Sequence, residues 1–289
     1  LKGVVSLNGQ WSSGGNLNNA RAAMGSTGPA TDTAFAFGGG PGGVAFAEQY
    51  NGTAWTEVGD LVTGRGYLAG AGTQAAGLGF GGYISGPNRY LNLSEEYNGS
   101  NWAEGNNLNT GRDVLAGCGT QTAGLAIGGF VPGANTGVTE EYNGTSWSEQ
   151  NDLNTARRGL SGVGTQTAAL AVAGESGPNS NLTEEYNGTS WTTGGNLNLG
   201  RQDVGAGGIQ TSALAAGGAV PPLSGAVEQY NGTSWTSTAV SLTTTRTSAG
   251  GAGANNTTAL IFGGLTPSAT TATEEFTGGT IIQTLTTST

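Results

Sequence analysis

The chain has 289 residues, 56 of them Gly, and sets nine basic residues against 19 acidic ones for a formal charge of −10. That balance argues against a nucleic-acid partner, which needs clustered Lys and Arg to displace counterions. The single cysteine, Cys118, excludes an intrachain disulfide, and without any His it lacks a base to make it a nucleophile.

No apolar run reaches the roughly 18 residues of a bilayer span, so membrane insertion is not expected. With Leu1 at its head, the chain is expected to be processed or excised from something longer. Cys118 stands where other repeats carry Ala71, Val163 or Gly207, which reads as a small buried hydrophobe.

In chain order, the first predicted element is a short strand around Trp11, followed by Asn-Leu-Asn and Arg21. Thereafter one phrase recurs, with tryptophans at Trp11, Trp55, Trp102, Trp147, Trp191 and Trp235 in steps of 44, 47, 45, 44 and 44 residues. Each copy reads as four strands, A to D, bounded by turn residues. Strand A is nearly all Gly, Ala and Ser, as in Leu68–Thr73 and Leu115–Thr120, and such small side chains suit the crowded axis of a closed array. Strand B is an unbroken apolar run (Ala34–Phe37, Leu125–Ile127, and Ala168–Gly174 with its terminal Gly) ending in Gly-Gly or Ala-Gly, as expected for burial on both faces and a sharp exit. Strand C carries Glu-x-Tyr and strand D the Trp, with Asn-Gly between them at Asn51, Asn98, Asn143, Asn187 and Asn231. Asn-Gly tolerates the positive φ values of a tight hairpin turn, which explains the repetition. The sequons this creates, such as Asn143-Gly-Thr145, are explained by the turn without invoking a glycan.

Repeats of this length built from strands predict an all-β fold, a β-propeller with one four-stranded blade per repeat, and a single domain over residues 1–289. Strands A and B occur six times, but strand D has seven candidates. The ring is expected to close through the N-terminal strand within residues 1–19, because Trp11 keeps the consensus that Ile281 has lost. Residues 278–289 are then a peripheral tail or the alternative closing strand.

The order Arg, small strand, apolar strand with Gly-Gly, Glu-x-Tyr, turn and Trp resembles the kelch repeat, the type found in the central domain of galactose oxidase, over nearly the whole chain. The resemblance implies a six-bladed kelch propeller. The Tyr of that pattern falls at Tyr50, Tyr97, Tyr142, Tyr186 and Tyr230, with Phe276 in the last copy. The phrases Tyr-Asn-Gly-Thr-Ser-Trp and Leu-Asn-Thr-Ala-Arg are also similar to repeats in structural proteins of marine bacteriophages and environmental microbes, which implies a virion or extracellular surface.

An Arg opens each strand A (Arg21, Arg65, Arg112, Arg157 or its neighbour Arg158, Arg201, Arg246), and a Glu precedes each strand-C aromatic by two (Glu48, Glu95, Glu140, Glu184, Glu228, Glu274). Two readings follow: six structural Arg–Glu pairs, or an axial ring of Arg that receives an anion, as in kelch domains that capture acidic peptides. The Gln of the A–B turns (Gln74, Gln121, Gln166, Gln210) reads as a hydrogen-bonding residue of the turn or between blades.

Loops D–A and B–C share one face, and the B–C loops vary. Tyr83, Arg89, Tyr90 and Phe130 are therefore the candidate contact residues for a protein or surface glycan, unless they fold back over the blade edge. Copper chemistry of the galactose oxidase type lacks its His ligands. Asp113 and Asp203, just after their strand-A Arg, form no evident acid constellation. The expectation is a non-enzyme with no metal and no cofactor, either a recognition module or a purely architectural propeller packed against itself or neighbouring capsid, tail or filament proteins.

Overall fold

The computed structural model describes residues 9–86 and 89–278. The first strand, β1 (Gln10–Ser13), belongs to the last sheet. Blade 1 comprises β2 (Gly25–Thr27), β3 (Phe35–Phe37), β4 (Ala47–Tyr50) and β5 (Trp55–Val58). Blade 2 comprises β6 (Ala69–Gly72), β7 (Gly77–Phe80), β8 (Ser94–Tyr97) and β9 (Trp102–Glu104). In blade 3, β10 (Ala116–Thr120) and β13 (Trp147–Glu149) flank a long hairpin of β11 (Ala123–Val131) and β12 (Ala134–Tyr142). Blade 4 has β14 (Ser161–Thr165), β15 (Ala168–Val172), β16 (Thr183–Tyr186) and β17 (Trp191–Thr193). Blade 5 has β18 (Gly205–Ile209), β19 (Ser212–Ala216), β20 (Val227–Tyr230) and β21 (Trp235–Ser237). Blade 6 has β22 (Gly250–Asn255), β23 (Thr258–Phe262) and β24 (Thr273–Thr277), with β1 as its fourth strand.

The result is a six-bladed propeller of four-stranded antiparallel sheets. Its ring is closed by the N-terminal strand, with Trp11 opposite Phe276 and Ser13 opposite Glu274. The proposed tail beyond Gly278 lies outside the described residues. The A strands contact one another in sequence around the axis, from β2 to β22 and back to β2, which their lack of side-chain bulk permits.

The apolar residues of strand B are buried between blades together with the Tyr and Trp of the next blade; Phe80, for example, meets Trp147 at 4.9 Å. Hydrogen bonds lock this packing. The Trp indole of one blade donates to a hydroxyl on strand C of the blade before it: Trp147 to Ser94, Trp191 to Thr139, Trp235 to Thr183 and Trp55 to Thr273. The Tyr hydroxyl donates to the second Glu of the preceding strand C, as in Tyr142 to Glu96 and Tyr50 to Glu275. The turn Gln donates back to two carbonyls of the preceding blade, Gln121 reaching Gly77 and Tyr97.

The C–D turns differ in one respect from the expectation. Only the Gly of each Asn-Gly pair has positive φ, from 86° to 91°, while the Asn side-chain oxygen accepts two backbone N–H groups, as Asn143 does from Thr145 and Ser146. The second Gly of the strand-B pair is sterically required. A Cβ on Gly129 would stand 2.7 Å from the Asp113 carbonyl oxygen, and one on Gly82 would stand 2.9 Å from that of Gly66.

Candidate functional site

The six repeated Arg residues do not line the axial mouth. Each lies four residues ahead of strand A, in the D–A loop, and its buried guanidinium pairs with the strand-C Glu of its own blade: Arg21–Glu48, Arg65–Glu95, Arg112–Glu140, Arg157–Glu184, Arg201–Glu228 and Arg246–Glu274. Arg112 also donates to the carbonyls of Gly128 and Thr110, so the guanidinium clasps the exit of strand B to strand C. Glu140 additionally accepts from the backbone and side chain of Asn109 at 2.7 and 2.8 Å. Burial pulls Arg157 down to about 10, with Glu184 opposing that shift. An anion would have to break these pairs to reach the ring.

The mouth itself is built by the residues two positions after each Arg. Ala23, Tyr67, Val114, Asp203 and Ser248 all have φ between 51° and 55°, and Gly159, at the same place in blade 4, has φ 60°. The left-handed turn points each N–H sideways at the preceding blade. Ala23 donates to Ser248, Ser248 to Asp203, Asp203 to Gly159, Gly159 to Val114, Val114 to Tyr67 and Tyr67 to Ala23, at 2.7–3.0 Å. Six backbone hydrogen bonds thus close a ring at one end of the axis. A cavity of about 130 Å³ lies at this ring, extending inward to the small residues Ser26, Gly70, Gly117, Gly162, Ala206 and Gly251.

Around the ring, in blades 2 to 6, the residue after the Arg pairs with the residue after the Gly-Gly or Ala-Gly that ends strand B: Gly66 with Tyr83, Asp113 with Phe130, Arg158 with Glu175, Gln202 with Ala219 and Thr247 with Leu265. These positions do not repeat in type, unlike nearly everything beneath them. Their aromatic and charged members fall in blades 2 to 4.

Tyr67 meets Tyr83 edge-on at 6.3 Å, Tyr83 meets Tyr90 at 6.4 Å, and Tyr90 meets Phe130 at 5.9 Å. Arg158 lies 4.7 Å over Phe130 and the exposed Arg89 lies 5.9 Å from the Tyr90 centroid. Three of the four residues expected from loop variation, Tyr83, Tyr90 and Phe130, therefore form a half-buried arc across blades 2 and 3, with Arg89 at its rim. Tyr67 joins them, as sequence reasoning missed.

Asp113 and Asp203, which looked scattered along the chain, converge on Arg158. Arg158 is the spare of the Arg157-Arg158 pair: its Nε donates to Glu175 at 2.6 Å, while Arg157 takes the structural role. Desolvation raises both Asp113 and Asp203 to about 6, against the opposing attraction of Arg158. Asp113 is 6% exposed, and its Oδ1 has no hydrogen-bond partner among the described residues. Burial also raises Tyr67, which feels Asp203, Asp113 and Tyr83. Cys118 is buried on strand A, and burial pushes its thiol up to about 12, the state of an unreactive thiol. Among the described residues, no group of three or more His, Cys, Asp and Glu is placed to hold a metal ion.

No family model matches the chain, and no curated protein is similar to it. Among solved structures it is similar to YjhT, with a TM-score of 0.75 and 15% identity, covering 89% of this chain and 95% of that one. Identity at that level is a likeness of fold.

Proposed function

We propose that this chain is a non-catalytic recognition module of kelch type, binding a protein or a surface glycan through the face formed by its D–A and B–C loops. A propeller fits a binding or architectural role. What favours binding here is a single observation: in a chain whose blades otherwise repeat, one sector of one mouth carries aromatic and charged residues that the other blades lack. Positions that build the blade recur as Trp, Tyr, Glu, Gln and Gly. Tyr67, Tyr83, Tyr90, Phe130, Asp113 and Arg158 recur nowhere, and aromatic residues with Arg are the side chains that dominate interface energies. The virion or extracellular setting rests on the resemblance of the repeat phrases to phage structural proteins.

The test is binding of the purified propeller to a broad panel of surface glycans and to candidate partner proteins, with the Tyr83→Ala/Tyr90→Ala double variant alongside. Binding that the double variant loses supports the reading. A complete lack of binding, or binding that survives the double substitution, rejects this face as the recognition surface; a lack of binding also favours the architectural alternative.

A further inference from the structure

The recognition reading leaves unexplained why a buried carboxylate oxygen at the mouth, Oδ1 of Asp113, has no hydrogen-bond partner among the described residues. Asp113 belongs to the D–A loop of blade 3, next to Val114 of the backbone ring, and pairs with Phe130, over whose ring Arg158 of blade 4 lies at 4.7 Å. Its Oδ1 is buried there without a hydrogen-bond partner among the described residues. Asp203 lies on the cavity wall next to Gly159, so close that a Cβ there would stand 2.8 Å from the Asp203 Oδ1.

The nearby cation does not satisfy them. Arg158 commits its Nε to Glu175 and its plane to Phe130, and 37% of its side chain remains exposed to solvent. Asp113, Asp203 and Glu175 therefore share Arg158, with the exposed Arg89 also acting on Asp113, and three carboxylates against two guanidinium groups leave the cluster negative overall. A buried acceptor without a donor is costly, and a carboxylate without a counter-charge more so, unless something arriving from outside supplies both.

We propose that the mouth receives one basic side chain of a polypeptide, lysine or arginine, whose cationic head sits between Asp113 and Asp203. The proposal rests on the reading of this face as a recognition surface and names the chemistry it selects. A head group of this kind gives Asp113 its missing donor and counter-charge in one contact. It also meets the ring of Tyr67, where a partly desolvated cation gains from the aromatic face. The arc of Tyr83, Tyr90 and Phe130 lies beside the carboxylates and offers an apolar bed on which the methylene stem can lie. The formal charge of −10 draws a basic partner toward the domain.

The probes are n-butylammonium and n-butylguanidinium chloride, with 1-butanol as the uncharged control and glucosamine as the amino-sugar alternative. Amide NMR shifts of Val114, Gly159 and Asp203 report the mouth, and the isosteric variants Asp113→Asn and Asp203→Asn are titrated in parallel. The alkyl cations are expected to give saturable shifts that butanol does not, and each Asn variant is expected to weaken them about tenfold. Equal shifts with butanol, or unchanged affinity in both variants, overturns the proposal. Saturation by glucosamine with none by the alkyl cations also overturns it and assigns the site to a sugar. A glycan or protein hit dependent on Tyr83 and Tyr90, together with silence toward the alkyl cations, leaves the recognition face standing and removes only this assignment.

Discussion

Two blade interfaces lack a hydrogen bond that the other four have, and restoring it is expected to stabilise the protein. The acceptor for each Trp indole is the residue just before the paired Glu on the preceding strand C. It is Ser94, Thr139, Thr183 and Thr273 in four blades, but Ala47 in blade 1 and Val227 in blade 5. Correspondingly, the buried Nε1 atoms of Trp102 and Trp11 have no partner. Ala47 and Trp102 pack in the same cluster, and Ala47 is 1% exposed. Ala47→Ser adds one oxygen where Ser94 already shows that a serine serves. Satisfying a buried donor is worth about 1 kcal/mol net, which for a chain of this length raises Tm by about 2 °C. The reverse change, Ser94→Ala, strands the Trp147 indole and should lower stability by about 1–3 kcal/mol. Urea unfolding of Ala47→Ser, Trp102→Phe and the double variant gives the coupling directly. If Ala47→Ser changes stability equally with Trp102 and with Phe at that position, the indole bond is not its cause and the argument fails.

Removing a buried guanidinium and an exposed one should have unequal effects. Arg112→Ala leaves Glu140 buried without its counter-charge and should lower stability by about 3 kcal/mol or more, whereas Arg158→Ala breaks a partly exposed pair and should cost about 1 kcal/mol or less; urea midpoints separate the two. Asp113 and Asp203 carry folded-state values near 6 against about 3.9 in the unfolded chain, so between those limits the native state holds more protons. Stability contributed by these two groups therefore rises as pH falls from 7 through 6 toward 4, the reverse of a salt-bridged carboxylate. Asp113→Asn should accordingly raise Tm at pH 7.5, by about 1–2 kcal/mol of added stability, and lose that gain at pH 4.5; a gain that does not change with pH would contradict the desolvation assignment. Gly159→Ala places a Cβ at φ 60° and against the Asp203 carboxylate, so it should cost about 1–2 kcal/mol and shift the amide resonance of Asp203.

The architecture was legible in the sequence because its determinants are side chains that recur at a fixed period. Trp, Tyr, Gln and the Gly pair each make a contact with the neighbouring blade, so they recur from blade to blade, and even the closing strand could be chosen because Trp11 keeps the contact residue and Ile281 does not. The Arg residues could be counted but not oriented. Six cations at equivalent positions look alike whether they ring a channel or clasp a strand, and only their burial against Glu in the same blade distinguishes the two.

The mouth was illegible for a different reason. Its ring is made by backbone groups, and what the six positions share is a left-handed φ, carried by Ala, Tyr, Val, Gly, Asp and Ser alike. A shared conformation with no shared side chain leaves no periodic signal in composition or spacing. The ring is also what frees the positions around it to differ, since backbone hydrogen bonds hold the loops whatever side chains they present. Asp113, Tyr67 and Arg158 stand there because nothing in the blade requires another residue at those points. The pairing that did leave a trace was Arg157-Arg158: one Arg satisfies the repeat, and the second, redundant for the fold, marks the sector where the repeat gives way to the site.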